Sequence, residues 1–160
     1  MWCAYAAVLS VLPSALWRTL LGLGLPLGWS AERLRTLHIP GWGTAYVVLL
    51  SVLTVGAALL TLGLVQPWGE RVPRWVPVLG GRPVPPGPVV AVALAGAGAV
   101  MWIGRMSVAN WDRVSGFADR PRSPWADLMI ACYAPGLLWG PLLVAVTVAY
   151  GRRRSAAGRW

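Results

Sequence analysis

The chain has 160 residues, 57% of them hydrophobic and only 12% charged. A soluble domain carries about 25% charged residues because its surface faces water, so this balance excludes an ordinary soluble fold and suits one domain with its outer surface in lipid. The net charge of +9 comes from 14 arginines and no lysine; these flank apolar runs instead of forming a patch, which excludes a nucleic-acid partner and points to the lipid bilayer.

Each apolar run is close to the 20 or so residues that a helix needs to cross about 30 Å of hydrocarbon. The first covers approximately residues 3–25 and is interrupted once, by Arg18. A secretory leader wants basic residues before its apolar core and a small-residue cleavage site after it. None precedes Arg18 and no A-x-A follows, so the run reads as a span. Pro13 can kink it, and Gly22, Gly24 and Pro26 bring it to an end. A polar connection follows over 29–40 and holds Glu32, Arg33, Arg35 and His38.

The second run, 44–65, has no charge. Its residues Ser51, Thr54, Ala58 and Thr61 recur at spacings of three, four and three, which places them on one helical face suited to close helix packing. Residues 66–88 then hold seven of the 14 prolines, a Gly-Gly pair and the charges Glu70, Arg71, Arg74 and Arg82. That composition forbids a helix or a central strand. Trp68 and Trp75 suit the headgroup layer, so the segment reads as an interfacial loop, either a rigid connector or a partner-docking element.

The third run, 89–106, contains alternating alanine and glycine from Ala95 to Ala99, and Gly96 marks tight packing. The third connection carries Asp112, Arg113, Asp119, Arg120 and Arg122. The last run, 126–150, places Gly136 and Gly140 in G-x-x-x-G spacing between Pro135 and Pro141, and stops at Arg152, Arg153 and Arg154. The fold class is therefore all-α, a polytopic four-helix transmembrane bundle. Trp2, Trp29, Trp42, Trp68, Trp75, Trp111 and Trp125 fall near span ends and read as an aromatic belt.

Four spans put both termini on one side. Arg71, Arg74, Arg82, Arg152, Arg153, Arg154 and Arg159 share that side, against Arg33, Arg35, Arg105, Arg113, Arg120 and Arg122 on the other. The bias is slight, and the compact Arg152–Arg154 cluster beside its span places the termini in the cytoplasm of a plasma-membrane protein. Cys3 and Cys132 begin spans on opposite sides, which excludes a bridge between them.

An ionisable group inside a span costs about 2.5–3.5 kcal/mol at the centre and marks a candidate site. Arg18 is that group, although a long side chain can also snorkel toward the interface. Its topologically allowed partners are Asp127 first and Asp112 next, with Glu32 and His38 on the same face and Glu70 opposite. His38 is the only histidine and has no second ligand beside it, so it reads as a surface residue and not as a metal site. No nucleophile–base set is evident; Ser107 and Ser123 read as helix N-caps. No cofactor signature is present.

The stretch Gln66-Pro67-Trp68-Gly69-Glu70, then Pro73-Arg74-Trp75-Val76-Pro77 and Gly80-Gly81-Arg82-Pro83-Val84-Pro85, carries a resemblance. It resembles small, uncharacterised four-span membrane proteins of actinobacteria with a W-G-x-x-x-P-R-W-x-P…G-G-R-x-V-P loop between spans two and three. The resemblance covers about residues 40–90, and more loosely Tyr5 and Leu12-Pro13-Ser14-Ala15-Leu16-Trp17-Arg18. It implies a location and a topology but no activity. Three functions are compatible with the residues. The first is a non-catalytic membrane component that docks a membrane-protein partner or forms a homo-oligomer. The second is a small oligomeric transporter or pore around Arg18 and Asp127. The third is an intramembrane enzyme acting on a lipid or isoprenoid substrate.

Overall fold

The structure, a computed structural model, describes residues 2–66, 85–117 and 122–157. The first helix, α1 (Trp2–Gly22), holds Pro13 inside it and ends in a glycine stop. Gly24 takes a left-handed φ of 90°, its N–H donates to the Leu21 carbonyl, and the Leu25 N–H donates to that of Leu20. That pair of bonds is the Schellman arrangement, which satisfies carbonyls that a helix end leaves open.

A short α2 (Ala31–Thr36) starts at Ser30, whose hydroxyl accepts from the Arg33 N–H. It ends in a second Schellman arrangement: His38, at φ 55°, donates its N–H to the Arg35 carbonyl, and the Ile39 N–H donates to that of Leu34. The uncharged run forms α3 (Trp42–Gly63). Helix α4 (Pro86–Ala109) opens on proline, tolerated in a first turn where the missing N–H has no partner to lose. It extends three residues beyond the predicted 89–106 at each end, so Ser107 lies within it and does not cap a helix.

One turn, α5 (Trp111–Ser115), follows. Ser123 caps α6 (Pro124–Tyr133) by accepting from the Trp125 N–H. The run expected as one helix is interrupted: a 3-10 turn (Ala134–Leu138) separates α6 from α7 (Trp139–Ala157). Pro135 has no N–H for the Ala131 carbonyl and its ring crowds that carbonyl, so the ladder cannot continue unbroken. The proline-rich loop lies outside the described residues over 67–84, with Trp68, Trp75, Glu70 and the loop arginines; Asp119 and Arg120 lie outside them too.

Four helical segments are long and apolar enough to cross a membrane: Trp2–Gly22, Trp42–Gly63, Pro86–Ala109 and Pro124–Ser155. They form an all-α bundle with α1 at its centre. Helix α1 packs on α3 along one side and on α6, the 3-10 turn and α7 along the other, while α4 packs on α7. Small residues make the central position possible. Ala4, Ala7, Val11 and Ala15 are buried along one stripe of α1, where short side chains let neighbouring backbones approach.

Two clusters hold the ends of the bundle. At the terminal end Ala4, Leu64, Ala97, Leu143, Val146 and Tyr150 come together. At the other end Trp17, Phe117, Ala126 and Met129 do so. Burial is uneven between the helices. Of the residues in the apolar stretch of each span, 44% are buried in α1, 17% in α3 and only 6% in α4, so α4 keeps one face on α7 and presents the rest outward.

Candidate functional site

Arg18 lies one turn before the end of α1, about 6 Å of helical rise from Gly22. Its guanidinium folds back along its own helix: Nε donates to the Ser14 carbonyl at 3.2 Å and Nη2 to the Ser14 hydroxyl at 3.4 Å. The Tyr133 phenol of α6 is within electrostatic reach of the same charge. The carboxylates named as partners sit at this end of the molecule but do not pair with it. Asp127, Asp112 and Glu32 are exposed, each in the first turn of its helix, where a negative charge complements the helix dipole. A first-turn acid with water beside it gains nothing by turning inward to Arg18.

Around Arg18 the chain builds an aromatic cap. The rings of Trp17 and Trp125 lie 6.5 Å apart and tilted, and Trp111 meets Tyr133 edge-on at 6.1 Å. Gly28, at φ 85°, lies against Trp125, and a side chain there would run into the indole. Arg33 ties the cap together. Its guanidinium lies 5.6 Å from the Trp29 ring, and Nη2 donates to the Arg113 carbonyl at 2.9 Å, joining the first connection to the third. The indole N–H groups of Trp17 and Trp29 and the Arg33 Nε are buried without acceptors. The cap is thus rich in donors, and the acids stay outside it. Nothing in the residue pattern marks Arg33 for this role, because a polar connection is an ordinary place for an arginine.

His38 is exposed and serves as the left-handed stop of α2. Among the described residues no group of three or more His, Cys, Asp or Glu side chains could hold a metal ion. Cys3 and Cys132 are both free thiols.

The small-residue positions divide into two groups. Ser51, Ala58 and Thr61 are buried and Thr54 partly so. Their hydroxyls donate within α3: Ser51 to the Val47 carbonyl, Thr54 to that of Leu50 and Thr61 to that of Ala57. Gly140 is buried against α4, where an added methyl would collide with Met101, and Gly136 faces the Ser10 carbonyl of α1. The G-x-x-x-G of the fourth span is therefore occupied by packing within the chain. Gly96 differs, because no described residue lies within 4 Å of the place where its side chain would start.

Gly96 opens onto an apolar cleft of about 510 Å³ between α3 and α4, floored by Trp139 and Leu143 of α7. A shallower apolar groove runs between α1 and α3 past Pro13 and Val55. At the terminal end of the cleft, Arg153 Nη2 donates to the Leu64 carbonyl at 2.7 Å, and Gln66 Nε2 donates to the Tyr5 hydroxyl at 3.0 Å. Comparison with protein-family models, curated proteins and solved structures gives no match to this chain.

Proposed function

We propose that the chain is a non-catalytic component of the plasma membrane that docks a transmembrane partner along α4. The observation that carries this reading is the uneven burial of the bundle, with α4 attached through one face and 6% buried over its span. On the side of α4 away from the cleft, Gly87, Ala91, Ala95 and Gly98 are exposed at spacings of four, four and three. Among the described residues nothing lies within 4 Å of Gly87 or Gly98 where a side chain would begin. In lipid, where apolar surface alone drives no association, such a stripe is what lets a second helix come close enough for dispersion contacts.

Cytoplasmic termini and a docking contribution from the loop over 67–84 belong to the same reading, as does the resemblance to small actinobacterial four-span proteins. The aromatic belt contributes anchoring through the exposed Trp2, Trp42 and Trp125. The span hydroxyls favour docking over transport, since Ser10, Ser14, Thr19 and Thr147 also donate to carbonyls of their own helix and line no polar path.

A photo-reactive side chain placed at Ala95 in native membranes is expected to capture one protein species, and the same group at buried Gly140 is expected to capture none. Adducts with lipid only at Ala95 would overturn the docking function.

A further inference from the structure

We propose that the cleft between α3 and α4 is a binding site for one anionic phospholipid, with an acyl chain in the cleft and the phosphate on Arg153. The site lies on the side of α4 opposite the docking stripe and does not depend on the partner reading.

The dimensions match one leaflet. The α4 wall of the cleft runs from Pro88 to Val100. Twelve residues of helix rise about 18 Å, and half of a bilayer's hydrocarbon core is about 15 Å. The lining is almost wholly apolar, from Leu60 and Leu64 of α3, Val92 and Gly96 of α4 and Leu143 of α7. Helices α3 and α4 do not close over it, because each is held by a different neighbour, α3 by α1 and α4 by α7. The cleft is therefore open sideways to the bilayer, the direction from which a lipid chain enters.

Charge selects the headgroup. Leu64 lines the cleft at its interfacial end, and its carbonyl accepts from Arg153 Nη2. Gly151 lies against Val90 at the start of α4, so the last turns of α7 stand beside the mouth, and the bond to Leu64 holds Arg153 there. Its side chain is exposed. One N–H of Arg153 is spent on Leu64, and a guanidinium has five, arranged in a fork that fits two phosphate oxygens. Among the described residues the carboxylates Glu32, Asp112 and Asp127 all sit at the opposite end of the bundle. An apolar slot one leaflet deep beneath a guanidinium group is complementary to a lipid with a negative head, and less so to a zwitterionic one.

The full-length chain, reconstituted in vesicles of equal phosphatidylglycerol and phosphatidylcholine and re-extracted in mild detergent, tests this by native mass spectrometry. The wild type is expected to retain one phospholipid, enriched in phosphatidylglycerol. The variant Arg153→Gln is expected to lose that preference by about five-fold. Gly96→Phe fills the cleft from a position with open space and is expected to reduce retention to background. Gly98→Phe, on the docking side, is expected to leave retention unchanged.

A wild type without bound lipid would overturn the proposal, as would one that carries both lipids equally. Undiminished preference in the arginine variant would do the same, and so would a protein adduct from a photo-reactive group at Val92. Should Gly96→Phe fail to fold, the arginine variant decides alone, since its substitution is on the surface.

Discussion

Arg18 illustrates how a charged side chain at a helix end can satisfy itself without a partner. Two of its donors reach Ser14 one turn earlier on the same helix. Hydrogen bonds between side chains in membranes average about 0.6 kcal/mol, and removing the charge also relieves part of its cost in lipid. Arg18→Leu is therefore expected to shift stability by less than about 1 kcal/mol, measured by unfolding in mixed micelles. A loss several times larger would show that the aromatic cap leans on the charge. The singularity of Arg18 was legible in the residue pattern, but its partner was not. Spacing shows which acids share its end of the bundle, whereas the choice between Ser14 and Asp127 depends on where each carboxylate finds water. His38 was legible as a surface residue for want of a second ligand. Its work as the left-handed stop of α2 was hidden, because glycine is the usual residue there.

Helices carry their own version of the same lesson. Apolar length located all four spans, because the bilayer sets a length that composition alone can meet. The break at Pro135 was not read from the sequence, where the run around it stands as one span, since a kinked helix and a 3-10 interruption share one composition. Small residues were likewise visible while their partners were not. Gly140→Val should force Met101 and α4 away from α7 and cost about 1–3 kcal/mol. Gly98→Ala meets open space and should be neutral or stabilising by up to about 1 kcal/mol through helix propensity. Thermal unfolding of the two variants beside the wild type checks the contrast. Equal effects would mean that α4 does not rest on Gly140.

For the molecule as a whole, the alternation of charged and apolar segments determines which connections share a side. Single cysteines at Arg35 and Asn110, with Cys3 and Cys132 changed to Ala, are expected to react together with a membrane-impermeant reagent. A cysteine at Ser155 is expected to react only from the other side. All three positions are exposed. Joint labelling of 110 and 155 would mean that the fourth passage does not cross. The neighbour order within the bundle was beyond reach of the residue pattern, because four apolar helices can be arranged in several ways and only local shape, such as Gly140 beneath Met101, chooses among them. That order has a consequence for how the protein is made. Helix α3 finds α1 already inserted when it leaves the ribosome, but α4 packs on α7, which ends 48 residues after Ala109. At about 5–20 residues per second, α4 waits for several seconds in the membrane without its permanent neighbour. Its sparing use of charge, with Arg105 alone near one end, is what makes that wait among lipids tolerable.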